Sequence, residues 1–435
     1  MRAAEDLANF IDASPTPFHA SHNAASRLLD AGFELFDPAS ASEPGARFVV
    51  RDGALIAWVD GTRPLGPMRM IGAHTDSPNL RIRPRPDTGL AGFRQLGVEV
   101  YGGALLNSWL DRDLGLAGRV AVRLDTADPG DTTGVAASGI AGVEHRLFRS
   151  ELPLLRVPQL AIHLDRDISS TGLLLNKQQH MTPIWGLGIP SEGGFRSWLA
   201  GQVEVRPADI LSWDVACFDH QPSAEIGEVG DLLAAPRLDN LCSSFGAIEA
   251  LIAARWSGTG PALIALYDHE EVGSTSATGA DSTWLSRVME QRALALGADR
   301  ATWLASLESS MLLSADMAHG THPNYPDRHE PHHWVRLGGG PVIKHNVNAR
   351  YATDSSGAAA FRSACTQAGV PVQDYSHRGD LPCGSTIGPL ASAQLAIRTV
   401  DVGMAQLSMH SARELMAVSD VAAMVSAFTA WMDPQ

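Results

Sequence analysis

Seven uncharged residues, Pro261-Ala262-Leu263-Ile264-Ala265-Leu266-Tyr267, run directly into Asp268-His269-Glu270-Glu271-Val272-Gly273-Ser274. The first stretch reads as a buried strand, being short, apolar and bounded by polar residues. Two adjacent carboxylates at the end of such a strand are costly, because each loses hydration and each repels the other. A positive centre beside them offsets that cost. In an extended chain neighbouring side chains point to opposite faces, so Glu270 and Glu271 are expected to do different jobs, one binding a cation and one holding a proton. A solvated pair at a loop mouth is the plainer alternative, and the rest of the chain has to decide between the two.

Similar endings recur. Met68 to Ala73 reads as a strand that stops at His74-Thr75-Asp76-Ser77-Pro78. His74 and Asp76, two apart in an extended segment, face the same way, and a carboxylate beside an imidazole fixes its tautomer and raises its basicity. A turn with Asp76 capping before Pro78 fits the same residues. Ser310 to Ala315 reads as another buried strand, ending in Asp316-Met317-Ala318-His319-Gly320. Asp239 lies at the start of a helix expected to run to about Arg255, where a plain N-cap is the competing role. His410 leads into the C-terminal helix, whose apolar positions run from Val421 to Trp431. In an open α/β sheet the strand ends of one edge form the ligand crevice. Two imidazoles and three carboxylates without a thiolate suit a pair of zinc or similar divalent ions. Such a pair, about 3.5–4 Å apart, activates water and polarises a carbonyl. It requires one bridging carboxylate, two further ligands for each ion and a proton shuttle. His74, Asp239, Glu271, Asp316 and His410 fill that inventory and leave Glu270 over.

The remaining chain sets the frame. Its 435 residues suffice for two or three domains. Helices are expected on either side of Ser14-Pro15-Thr16-Pro17, then a hairpin around Asp52-Gly53. Residues 85–230 read as an inserted β-rich domain, with 1–84 and 231–435 as the two parts of the other. Within the insertion, Leu96 to Gly102, Gly118 to Leu124 and Gln159 to Leu164 are expected as strands and Phe195 to Ala200 as a short helix. His322 to His333 reads as a structured polar loop rather than a further metal site, since Pro and charges interrupt the ligand spacing. A formal charge of −15 argues against nucleic acid and anionic membrane as partners. Four cysteines without a CxxC pair, and no apolar signal core at the N-terminus, fit a reducing cytoplasm.

Taken together the motifs resemble the aspartyl aminopeptidase family of zinc-dependent exopeptidases. The resemblance runs over nearly the whole chain and rests on HTDSPNLRIRP (74–84), LDRDLGLAGRV (110–120), PQLAIHL (158–164), PRLDN (236–240), DHEEVGSTSATGADS (268–282), SADMAHGTHPNY (314–325), GPVIKHNVNARYAT (340–353) and LSMHSARE (407–414). It implies a three-layer α/β/α zinc-exopeptidase-like catalytic domain with the β-rich domain inserted for dimerisation. It implies two zinc ions per subunit, with Asp239 bridging, His74 and Asp316 completing one site, and Glu271 and His410 the other. Asp76 would orient His74 and Glu270 would be the general base. His163 would reach a neighbouring subunit's active site and donate to the oxyanion, while His319, Lys344 and Tyr351 match substrate-contacting positions. The implied substrates are short peptides with N-terminal Asp or Glu, and the implied assembly is a dimer-based homo-oligomer, up to a dodecamer. Independently, a lone ammonium at Lys344, at the mouth of a Gly-rich turn in an acidic chain, could select a substrate carboxylate. Asp354 stands where the family often carries Asn, which bears on the specificity pocket. The rival activities are those of a carboxypeptidase or deacylase on the same scaffold, or a metal-stabilised assembly without catalysis.

Overall fold

Leu7, Phe10 and Ile11 recur at helical spacing and form the buried stripe of the helix Arg2–Ala13. Pro17 then opens the helix Pro17–Asp30 at its first turn, where a missing N–H costs nothing. The computed structural model describes residues 2–38, 42–124, 141–254 and 260–434. It divides into two compact units, one of residues 1–77, 223–409 and 414–435, the other of 78–222 and 410–413.

The first unit is built on a nine-stranded sheet. Its centre is four parallel strands in the order Ala262–Tyr267, Arg69–His74, Met311–Ala315 and Arg398–Gly403. The hairpin Ala46–Arg51 and Ala54–Val59 extends one side, and Val342–His345 with Gln373–Ser376 the other. Alternate residues of these strands enter two cores. Ile71, Ile264, Leu266, Leu313 and Val400 pack under the helices Leu238–Ala254, Ser355–Ala368 and Val418–Met432, together with the two N-terminal helices. Met70, Leu263, Ala265 and Leu312 face Trp284–Ala295, Arg300–Glu308 and Ile387–Leu395. This is the expected three-layer α/β/α arrangement. Each such aliphatic side chain contributes about 1.5–3 kcal/mol by burial. Trp431 is held at the centre, its indole N–H donating to the Met70 carbonyl at 3.0 Å.

Strand order positions the site. The strand Arg69–His74 has its later partners on both flanks, Ala262–Tyr267 on one and Met311–Ala315 on the other. The connections leave it in opposite directions, which opens a crevice beyond its C-terminal end. His74 is its last residue. A smaller five-stranded sheet in the same unit, ordered Ala224–Ile226, Leu232–Ala235, Glu414–Ala417, Ala405–Leu407, Ala318–His319, carries His319 at its edge.

The second unit is a six-stranded antiparallel sheet in the order Val143–Arg149, Leu114–Arg123, Ile210–Asp219, Asn79–Leu90, Phe93–Tyr101, Ile184–Leu187. The helix Gly194–Gln202 covers it with Phe195 and Leu199. Gly118 is required in this sheet, since a Cβ there would fall 2.0 Å from the Asp214 carbonyl oxygen.

Three expectations need correction. Gln159 to Leu164 is not a strand: Ile162–Leu164 forms a single 3-10 turn, and Leu160, Ile162 and Leu164 are all exposed. Their alternation imitates a half-buried strand, but among the described residues no partner strand covers one side. The segment at Glu270 is not extended either, because Glu270–Val272 is a 3-10 turn entered through His269 at φ +66°. The helix after Leu238 has non-helical torsions at Asp239 and Asn240, so Asp239 does not act as a simple cap; its expected last residue, Arg255, lies outside the described residues.

Candidate metal centre

His74 at the last position of its strand, Asp316 and the Glu270 turn all lie at or just beyond the C-terminal ends of neighbouring parallel strands. Asp239 approaches from the helix packed on the same sheet, its irregular torsions fixed by two hydrogen bonds. Its N–H donates to Glu414 Oε2 at 2.9 Å, and its carbonyl accepts from Ser77 Oγ at 2.6 Å. His74 Nε2 then lies 3.3 Å from Asp239 Oδ1, 3.6 Å from Asp316 Oδ1 and 4.0 Å from Glu270 Oε2. Ligand atoms of His74, Asp239 and Asp316 all fall within 4.8 Å of one another, and so do a carboxylate oxygen of Asp239 and one of Glu271.

Asp76 is fully buried and ties this geometry together. Its Oδ1 lies 3.4 Å from His74 Nδ1, on the ring edge away from the carboxylate cluster. The same carboxylate accepts the backbone N–H groups of Glu270 and Glu271, each at 3.1 Å. One residue therefore orients the imidazole and sets the glutamate turn.

The electrostatics call for a cation. Burial by itself lowers the His74 pKa, but hydrogen bonds to Asp239, Asp316 and Asp76 and the field of Glu270 hold it well above the usual value. Glu270 is pushed up to about 8, chiefly by burial; His74 opposes this, while Asp316, Asp239 and Asp76 reinforce it. A divalent ion meets the same demand with His74 neutral and ligating. Carboxylate and imidazole donors converging at this spacing fit such an ion.

Lys344 corrects the expectation of a lone, accessible ammonium. It is buried, with Nζ 3.5 Å from Asp316 Oδ2 and donating to the Met317 carbonyl at 3.2 Å, and it faces the Tyr351 ring at 5.2 Å. Tyr351 is buried and its pKa is raised, first by burial and then by Cys383 and Tyr375. His319 packs edge-on against Tyr375, and burial with the nearby Lys344 charge pushes its pKa down to about 4, so it is neutral at pH 7. Asp354 caps the helix Ser355–Ala368 through Gly357 N–H at 2.6 Å and pairs with Arg398 at 3.2 Å, so its carboxylate serves the helix rather than a pocket.

His163 and His410 lie in the second unit. His163 is exposed on its 3-10 turn. His410 has φ +68° and its Nδ1 lies 3.2 Å from the Gly103 carbonyl oxygen. Among the described residues, His322 to His333 contributes to no gathering of metal-ligating side chains.

Two acids carry more of this site than the sequence reading assigned to them. Glu414 holds the Asp239 backbone. Asp401, fully buried, accepts from Ser314 Oγ at 2.6 Å, Thr386 Oγ1 at 2.5 Å and Ala352 N–H at 2.5 Å, joining the Asp316 strand to the loop bearing Tyr351. A carboxylate inside Thr399-Val400-Asp401-Val402 was the available signal, because a lone buried charge in a strand needs partners.

Comparisons with known proteins give the family. The family described as Aminopeptidase I zinc metalloprotease (M18) matches residues 10–432. A probable M18 family aminopeptidase 2 of Mycobacterium leprae is 50% identical over 433 residues, covering 99% of this chain and 98% of that protein. A chain in the cryo-EM structure of the Ape4 and Nbr1 complex superposes with a TM-score of 0.91 at 35% identity, over 99% of this chain and 85% of that one. The mApe1 dodecamer of S. cerevisiae superposes with a TM-score of 0.82 at 27% identity, over 98% of this chain and 95% of that one. The protein is therefore a metalloaminopeptidase, a hydrolase that belongs to the M18 family of zinc metalloproteases.

Proposed function

We propose that this aminopeptidase works with two divalent ions, zinc in keeping with its family, and removes N-terminal Asp or Glu from short peptides. Asp239 would be shared between the ions, with His74 and Asp316 holding one and Glu271 and His410 the other. The observation that carries this reading is the position of His74 Nε2, 3.3 Å from Asp239 and 3.6 Å from Asp316, with a Glu271 oxygen within 4.8 Å of Asp239.

When bound, the ions polarise the scissile carbonyl and make water more acidic. Glu270 takes a proton from the attacking water as its oxygen bonds to the carbonyl carbon. It returns that proton to the departing amine as the C–N bond breaks. Partial burial raises the Glu270 pKa to about 8, so the carboxyl can hold that proton between the two steps. Asp76 keeps His74 in the tautomer that presents Nε2. His319, neutral at pH 7, together with Lys344 and Tyr351, lines the substrate side. An acidic first residue shares the Lys344 ammonium with Asp316.

His163 acts in a neighbouring subunit as donor to the tetrahedral oxyanion. Its exposure, with Leu160, Ile162 and Leu164 exposed around it, supports a homo-oligomer in which the second unit makes the subunit contacts. A dimer-based assembly up to the dodecamer seen for mApe1 follows from that reading. A cytoplasmic setting agrees with four free cysteines, three of them buried. Metal analysis of the purified protein, paired with a scan of dipeptides varied at the first residue, tests the proposal. Two ions per chain and preferred release of Asp and Glu are expected. One ion, or equal turnover of Leu and Glu peptides, would overturn it.

A further inference from the structure

A cavity of about 500 Å³ in the first unit takes no part in the chemistry described above. Its lining includes His345, Arg350, His377 and Arg378, and no acidic residue. That is unusual in a chain of net charge −15. Two of these groups are engaged, His345 by Asp374 at 2.9 Å and Arg378 by Asp380 at 2.6 Å. Arg350 is different. Its Nε donates to the Cys383 carbonyl at 3.2 Å, and among the described residues its terminal nitrogens meet no acceptor. That bond anchors the guanidinium at the cavity wall and leaves the fork that grips a carboxylate.

A run of side-chain contacts links the proposed metal centre to the wall of this cavity. Asp316 holds Lys344 at 3.5 Å, and Lys344 lies 5.2 Å from the centre of the Tyr351 ring. The Tyr351 and Tyr375 rings are 6.3 Å apart, and the Tyr375 hydroxyl bonds His377 Nδ1 at 2.6 Å. His345 continues the chain directly from Lys344. At about 500 Å³ the space exceeds what one acidic side chain fills and lies in the range of sites that hold whole small ligands.

We propose that this cavity is a subsite for a carboxylate of the peptide substrate beyond its first residue, with Arg350 as the group that receives it. The proposal rests on the aminopeptidase reading of the neighbouring centre. The carboxylate has two possible sources, an acidic side chain or the C-terminus of a short peptide, and both would meet the same guanidinium.

The test uses the full-length, metal-loaded protein. Binding is read by the shift in melting temperature with four product-like dipeptides: Ala-Glu, Ala-Glu-amide (γ-carboxylate retained), Ala-Gln and Ala-Gln-amide. Turnover is read on tripeptides with Glu, Gln or C-terminal amide after a fixed first residue, and on an aminoacyl anilide that has nothing to place in the cavity. Wild type should favour carboxylate-bearing tripeptides by about ten-fold in kcat/KM, the worth of one charge-assisted contact. Arg350→Ala should abolish that preference and the carboxylate-dependent melting shift, Arg350→Lys should restore part of both, and anilide turnover should stay within about two-fold. Ala-Glu-amide against Ala-Gln separates the side-chain source from the C-terminal one. Equal shifts from Ala-Glu and Ala-Gln-amide in wild type would overturn the proposal whatever the turnover. So would an Arg350→Ala effect confined to the identity of the first residue. A retained carboxylate shift with no anilide or tripeptide turnover would instead count against the aminopeptidase reading and leave the subsite standing.

Discussion

Lys344 Nζ lies 3.5 Å from Asp316 Oδ2, leaving Asp316 Oδ1, 3.6 Å from His74 Nε2, to face the carboxylate cluster. On the proposed ligand set, the ammonium fixes which oxygen of Asp316 faces the metal site. Partners one step removed from a metal typically change affinity or activity about 10- to 100-fold when lost. Lys344→Met is expected to lower zinc affinity by that order, measured by competition with a chelator, and kcat with it. If Lys344 only read the substrate, KM for acidic peptides alone would rise and zinc affinity would not move.

Glu270 is the acid whose removal should separate binding from chemistry. Glu270→Gln keeps the shape of the 3-10 turn and the two N–H donations to Asp76, because those come from the backbone. Metal content and melting temperature are expected to hold. Turnover is expected to fall by about 10²–10⁴, the usual worth of a general base. Steady-state rates on one dipeptide together with metal analysis decide it, and a rate within a few-fold of wild type would remove Glu270 from the mechanism.

Asp420 offers a pH test away from the centre. Its carboxylate accepts Gly338 N–H at 2.8 Å and Gly340 N–H at 3.0 Å, bracing the Gly-rich turn that leads to Lys344. Burial raises its pKa against the pull of those donors. The folded state therefore holds the proton more tightly than the unfolded chain. The stability this group contributes is complete below its unfolded pKa of about 3.9 and is lost as pH rises through the raised folded value. Asp420→Asn cannot ionise, so its deficit against wild type should be larger near pH 4 than near pH 7. Urea unfolding of chelator-treated protein at both pH values measures this, and a deficit that grew with pH would contradict it.

How much of this could be read in advance depends on where the information sits. Arg69–His74 and Ala262–Tyr267 were legible because strands covered on both faces show continuous apolar runs, and the charge that ends each run marks the sheet edge. Leu160, Ile162 and Leu164 carried an equally clear alternation and formed no strand. Period two states that a segment has two sides, and only a neighbouring strand makes one of them interior. Lys344 read as an accessible lysine because its partner Asp316 is 28 positions earlier in the sequence. Glu270 and Glu271 read as an expensive pair, and burial does raise the Glu270 pKa, but the local geometry comes from the left-handed His269 and the Asp76 carboxylate, which no local pattern announces. Residue types at strand ends could thus be nominated one by one. Their convergence depends on strand order, which is a property of the whole sheet.

The same convergence predicts different losses for one substitution with and without metal. Asp239 and Asp316 face the His74 imidazole edge, which without a bound ion is protonated and answers them, while Glu270 holds its own proton. Asp239→Asn removes one partner of that imidazolium while retaining the backbone bonds to Glu414 and Ser77. In chelator-treated protein it is expected to melt modestly below the wild-type temperature. With zinc at 100 times its dissociation constant, binding adds about 2.7 kcal/mol to the wild type. Asp239→Asn should forfeit most of that gain, so the gap between the two melting temperatures widens once zinc is present. Paired melting curves with chelator and with zinc measure the widening. A variant less stable than wild type by the same margin in both conditions would mean that Asp239 is a structural acid and not a ligand.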